Sequence, residues 1–390
     1  MKNTTSHKSI SLVALLLLSI LTGLVTLPAA SAVNETKSGI ISGTETWSGT
    51  MNLNGDVTVA EGAKLIVNAG TTVNIPYGNM IDVEGAICIG DTSCGSSSGS
   101  ASNQARFIWS SPSDYTILGN CYSNNSNDPN YNGDTACGSG MVIRSTIDQA
   151  ITSIKYAHFE NAYGVPFDTN QVSGKQYGVL VFDGSSTSVT GLSFQDVNTS
   201  NILALDLASP IIDDSTFTIG IDGNGYDAAA VLAYGAGAGI LGTMRIQNSE
   251  FTGNTQAECG QQGGGRSLIY IESSYIDLAN LELKDNAYGL FMKQSSGSLT
   301  NSTIDVKCSG IDTNSHKVTG TINHTLMIND NDITTADGTG ITAYDGAIVE
   351  ANRNTISGAA QGSGFGIRSS SVIANDNVIG PIGGWNGLWI

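Results

Sequence analysis

Between Gly55 and Ile75 the chain reads GDVTVAEGAKLIVNAGTTVNI, with apolar pairs at Val57/Val59, Leu65/Val67 and Val73/Ile75, each pair eight residues after the last. Within a pair the apolar residues flank a polar one, the period-two pattern of a strand that buries one face and wets the other. Ile81/Val83 extends the series, and the corners are built on Gly62, Gly70 and Gly78. Antiparallel hairpins would favour two-residue Asn-Gly or Asp-Gly loops, and these corners are longer. Three such strands make a unit of about 24 residues, within the range of repeat proteins.

The far end of the chain carries the repeat. ANRNTISGAAQGSGFGI (Ala351 to Ile367) aligns with ANDNVIGPIGGWNGL (Ala374 to Leu388), and INDNDITTADGTGI (Ile328 to Ile341) precedes both. Ile333, Ile356 and Ile379 stand 23 residues apart, preceded by Asn331/Asn329, Asn354/Asn352 and Asn377/Asn375. Each is followed by a Gly-aliphatic pair, read as Gly340-Ile341, Gly366-Ile367 and Gly387-Leu388. Upstream the pattern persists around Phe194, Phe217, Phe251, Leu283 and Ile304, with Gly289-Leu290 and Gly310-Ile311 in the second role.

Three short strands cannot bury their own inward side chains, so each unit must stack on its neighbours at the roughly 4.8 Å spacing of paired strands. The expected fold is all-β: a single-stranded right-handed parallel β-helix of about a dozen coils over residues 50–390. Val57, Leu65, Val73, Ile333, Ile356 and Ile379 point inward, and the repeat Asn residues form ladders at a corner. The stretch from Thr46 to Ile390 resembles right-handed parallel β-helix proteins of the pectin-lyase-like superfamily. The N-x-N-x-I…G-I units resemble repeats shared by carbohydrate-binding proteins and sugar hydrolases of that architecture. The resemblance implies the fold; the superfamily spans lyases, hydrolases, epimerases, adhesins and inert surface proteins, among which fold does not choose.

Residues 1–32 read as a signal peptide: Lys2 and Lys8, an apolar run from Leu12 to Val25, then Ala30-Ser31-Ala32 before Val33. The expected location is secreted or cell-surface, with no transmembrane segment after cleavage. The whole chain carries a net charge of −18, and without Lys2 and Lys8 it holds 14 basic against 34 acidic residues. Such a surface repels nucleic acid and attracts cations. Residues 33–49 serve as an N-terminal lead-in and cap. The last residues, WNGLWI, continue the strand pattern, so an uncapped C-terminal coil is expected, truncated or covered by a further domain or subunit.

Six cysteines in an exported chain point to disulfides. Cys88 with Cys94 and Cys121 with Cys137 are sequence-local pairs bracketing stretches that interrupt the coil pattern; Cys259 with Cys308 remains by elimination. Zinc is the alternative, without the paired C-x-x-C spacing it needs. DPNYNGD sets Asp128, Asn130, Asn132 and Asp134 at alternate positions with Gly133 sixth, the first half of a calcium loop whose twelfth position is Ser139 in place of Glu. A metal-free Asn/Asp turn explains the same residues. Ca2+ is the one cofactor these residues admit.

GAGILG (Gly237 to Gly242) matches a dinucleotide fingerprint, but the adjoining stretch TMRIQNSEFTG (Thr243 to Gly253) alternates like a strand, so no nucleotide cofactor is implied. GSSSG (Gly95 to Gly99) lacks the strand and helix of a nucleophile elbow. Lys155, His158 and Glu160 cluster in IKYAHFEN, and strand alternation accounts for them; Asp213 and Asp214 fit a turn. The superfamily resemblance implies calcium-binding carboxylates with a Lys or Arg base in lyases, or grouped Asp in hydrolases, yet no catalytic constellation stands out. The chain therefore admits two readings: a non-catalytic surface or matrix protein, holding extracellular polysaccharide on Tyr and Trp platforms or contacting another surface protein, and a polysaccharide lyase, epimerase or hydrolase. Acids and bases converging on one lateral groove would favour the enzyme. Asn34, Asn124, Asn198, Asn301 and Asn323 begin N-x-S/T sequons.

Overall fold

A computed structural model describes residues 34–90, 99–110, 139–146, 151–168, 175–197, 199–219, 229–237, 242–255, 259, 267–315, 325–384 and 386–390. The chain is a parallel β-helix. Twelve strands from Thr44–Trp47 to Ser371–Asn375 form one parallel sheet. The other two faces merge into a 25-stranded sheet because Thr50–Val59 runs through both. The eight-residue spacing is therefore one side of a three-sided coil. Asn34–Ile41 pairs in parallel with Thr50–Val59, so this part of the lead-in continues the ladder upward.

Stacking like on like builds the core. On one face Met51, Val73, Phe107, Phe159 and Phe194 lie in successive rungs, followed by Phe217, Phe251, Leu283, Ile304, Ile333, Ile356 and Ile379. The five phenylalanines stack nearly parallel, with centroids 4.5 to 5.5 Å apart. Each buried ring contributes about 2–3 kcal/mol, and each stacked pair adds roughly 0.5–1.5 kcal/mol. Val57, Leu65, Val73, Ile333 and Ile356 are buried as expected. Ile379 holds its place in the column but is 38 % exposed, because no coil lies beneath it. Leu388, Trp389 and Ile390 are exposed at the same end.

Turning from the twelve-stranded sheet to the next face requires one left-handed residue per coil. Asp214, Asn248, Asn280, Asn301, Asp330, Arg353 and Asp376 take it, with φ between 47° and 60°. After glycine, Asp and Asn tolerate this region best; Arg353, the exception, is held there by two 2.7 Å bonds to Asp330. Immediately after this residue stands the buried ladder. Asn331 Nδ2 donates to Asn354 Oδ1 at 3.0 Å and Asn354 Nδ2 to Asn377 Oδ1 at 2.9 Å. A second, more exposed ladder joins Asn329, Asn352 and Asn375. Both Asn positions of the repeat are thus used. Upstream Ser215, Ser249 and Ser302 replace the inner Asn and accept backbone N–H groups instead.

One detail of the repeat differs from the sequence reading. Ile341 pairs with Phe365, and Phe365 with Leu388, so the repeat dipeptide of that coil is Gly364-Phe365 rather than Gly366-Ile367. A two-residue slip leaves every side chain on the same face of a strand, so alternation could not separate the two choices.

Candidate functional site

On the third face, alternation sends every second side chain outward. One outward column runs Val142, Val181, Leu203, Leu232, Tyr270, Phe291, Asp312, Thr342, Gly366 and Trp389. Its first half is apolar and covered: Val142, Val181, Leu203, Leu232 and Tyr270 form a second hydrophobic cluster with Val165. Val165 belongs to Val165–Asp168, which pairs antiparallel with Lys175–Asp183, so this hairpin adds Val165, and partly Phe167, to that cluster. Phe167 of that hairpin lies 5.4 Å from the Arg144 guanidinium, itself bonded to Asp82 and Asp183.

After Phe291 the column turns polar and the face opens into a cleft of about 760 Å³. Asp312 lies in it with Tyr288, Tyr344, Lys307, Arg368, Asp337 and Trp389. The Cys259–Cys308 disulfide lines it too, tying Cys259 to the residue just before the strand Ser309–Asn314. This observed bond fits the pairing reached by elimination.

Ser309 Oγ donates to Asp312 Oδ1 at 2.7 Å, and the Thr342 hydroxyl bonds the same carboxyl. Loss of water around Asp312 pushes its carboxyl above the ordinary range, and the two hydroxyls oppose that. Next to it the Tyr344 phenol is pushed up to about 12, by burial first and then by the Asp312 charge. Behind the cleft, Glu272 accepts from Tyr270 Oη at 2.6 Å and pairs with Lys293 Nζ at 2.8 Å. Glu272 and Lys293 are thereby held as an ion pair, whereas the Asp312 carboxyl is bonded by the Ser309 and Thr342 hydroxyls. A desolvated carboxyl among rings and hydroxyls can bond sugar hydroxyls, or give and take a proton.

None of these residues was singled out by motif. Asp312 follows the Gly310-Ile311 dipeptide, so the residue after each repeat aliphatic faces outward; that column read down the coils is the one sequence signal for the site. Among the residues that the sequence does single out, His158 and Glu160 share a face while Lys155 lies on the twelve-stranded sheet. His158 Nδ1 is 2.8 Å from Ser193 Oγ, and its Nε2 is 3.7 Å from Glu160, which accepts from Arg106 at 2.7 Å. Burial and the Arg106 charge lower the His158 pKa. Asp214 occupies a turn, and Asp213 accepts from Asn248 at 2.8 Å. The calcium pattern Asp128, Asn130, Asn132 and Asp134 lies outside the described residues, as do Cys94, Cys121 and Cys137. Cys88 is disulfide-bonded. Among the described residues no helix is long and apolar enough to cross a membrane, and no three His, Cys, Asp or Glu group as metal ligands.

No protein-family model matches the chain, and no curated protein sequence does. Among solved structures the chain is similar to the periplasmic alginate epimerase AlgG, with a TM-score of 0.41 and 9 % identity over 89 % of this chain and 78 % of that one. It is also similar to the Streptococcus pneumoniae surface protein and adhesin PfbA, with a TM-score of 0.40 and 12 % identity over 89 % of this chain and 92 % of that one.

Proposed function

We propose that this is an exported β-helix protein that holds an extracellular polysaccharide in the Asp312 cleft. The observation that carries the reading is the convergence of Asp312, Tyr344, Arg368 and Trp389 in one groove on one face of the solenoid. Aromatic rings beside hydrogen-bonding side chains are what a sugar needs, since a pyranose offers apolar C–H faces and a polar rim. The apolar half of the same outward column is buried in a cluster with Val165 of the chain's own hairpin, which leaves the polar half open to a ligand. Export is supported by the signal-like residues 1–32 and by the Cys259–Cys308 disulfide.

A second reading, a polysaccharide-cleaving enzyme, draws on one observation: the Asp312 carboxyl is raised by desolvation, as a general acid's must be, and Asp337 lines the same cleft. The two separate in one experiment. The purified protein is run by affinity electrophoresis in gels cast with alginate, polygalacturonate, xylan or hydroxyethylcellulose, and the same glycans are assayed for new reducing ends. Retardation that Asp312→Asn weakens, with no new chain ends, supports binding. Chain ends that appear with the wild type and vanish with Asp312→Asn support the enzyme. Neither retardation nor cleavage with any of them would refute both.

A further inference from the structure

The glycines of this face divide into two kinds. Gly289, Gly310, Gly340 and Gly364 are demanded by packing: a Cβ on any of them would lie 2.4 to 2.6 Å from a carbonyl oxygen or isoleucine methyl of the neighbouring structure. Gly366 differs. It is in mid-strand, its φ is not in the left-handed region, and the nearest atoms an added Cβ would meet, of Thr339, Thr342 and Trp389, lie at 3.4 to 3.9 Å, ordinary contact. Glycine inside a strand costs roughly 0.5–1 kcal/mol against alanine, and neither backbone nor packing requires it here. A strand glycine without such a reason marks a place where something approaches the backbone closely.

Its position says what. Gly366 is in the outward column between Thr342 and Trp389, in the cleft that holds Asp312. Removing one side chain from that column leaves a recess one strand wide, bounded along the axis by the Thr342 side chain and by an indole that is 48 % exposed. Arg368, two residues on, points to the same face beside Tyr344. We propose that Gly366 is the floor of a sugar subsite, in which one pyranose ring packs on the Trp389 indole over the bare backbone of Gly366. This rests on the polysaccharide reading of the cleft and adds to it the place and ring chemistry of one subsite.

The test uses the full mature chain and the same four glycans. Gly366→Ala keeps or raises the melting temperature, because it adds a β-compatible side chain without a clash, and it weakens gel retardation about tenfold. Trp389→Ala weakens it similarly, and in a Trp385→Phe background, which removes the fourth tryptophan, added glycan quenches a signal that is lost when Trp389→Phe is added, Trp47 and Trp109 being fully buried. If the wild type is retarded and Gly366→Ala is retarded equally, the subsite is wrong and the cleft reading stands. If retardation survives Trp389→Ala with its quenching gone, the ring does not pack on the indole and the proposal fails. If the wild type is not retarded at all, cleft and subsite fall together.

Discussion

The two asparagine ladders share a chemistry but not an environment, and Asn354→Ala set against Asn352→Ala separates them. Asn354 is 1 % exposed. Its Oδ1 accepts the Asn331 backbone N–H and the Asn331 side-chain amide, each at 3.0 Å, while its Nδ2 donates to Ile328 O at 2.8 Å and Asn377 Oδ1 at 2.9 Å. Truncation strips a buried backbone N–H of its acceptor and a buried carbonyl of a donor. The Asn331 amide keeps Leu299 O and Asn329 O, so it is only partly orphaned. At about 1–3 kcal/mol for each buried group left unsatisfied, the cost is about 2–4 kcal/mol. Asn352 is half-buried, gives one bond to Asn329 and takes one from Asn375, and water can replace both; its truncation should cost under about 1 kcal/mol. The assay is urea unfolding, with amide exchange at Ile333 and Ile356 as the local probe, since a solenoid opens by neighbouring repeats. Equal midpoints for the two variants would show that the inner ladder does not hold the corner.

Opening the Cys259–Cys308 bond with Cys259→Ser/Cys308→Ser releases a 49-residue loop and should lower stability by up to about 4 kcal/mol on the chain-entropy estimate, read as a midpoint shift under non-reducing conditions. Asp312→Asn should raise the melting temperature at pH 7: a carboxyl whose folded pKa is raised adds stability only below its unfolded value, near 3.8, and loses it as pH rises through the folded one. An unchanged or lower melting temperature would mean Asp312 is not desolvated. His158 behaves oppositely. Its folded pKa is depressed from 6.5, so its contribution is complete above that value and lost as pH falls below it; His158→Gln should flatten the slope of stability against pH there. Calcium at Asp128, Asn130, Asn132 and Asp134 should be visible as a chelator-induced fall in melting temperature that Asp128→Ala/Asp134→Ala abolishes.

The sequence made the inward columns legible and the outward ones illegible, for one physical reason. An inward residue must match the rung above and below, so Phe217, Phe251, Leu283, Ile304 and Ile333 repeat the same chemistry and announce themselves by period. An outward residue has no such obligation. Asp312 stands between Phe291 and Thr342, with nothing periodic to mark it. The two-residue slip at Gly364-Phe365 was hidden for a different reason: it leaves every side chain on the same face, so alternation reads the same either way. The ladder asparagines were legible because three successive coils repeat them at one spacing, each buried amide bonding the next. The cleft was not, because its walls come from five rungs and the disulfide-tied Cys259, which only coiling brings together.

That freedom also explains why the cleft is where it is. A parallel sheet normally needs cover on both faces, and the apolar outward residues from Val142 to Tyr270 obtain it from the hairpin and its neighbours. Beyond Phe291 the outward positions Asp312, Thr342 and Gly366 are polar or bare, so that part of the sheet is stable in water without a cover, up to the half-exposed Trp389. The switch from Tyr270 and Phe291 to Asp312, Thr342 and Gly366 is thus a change in what the sheet requires of its surroundings. Replacing Thr342 and Gly366 by valine would extend the apolar column and should leave the coil folded but prone to self-association, measurable by sedimentation. If that variant stays monomeric and still retains polysaccharide, the outward composition does not decide where this solenoid binds.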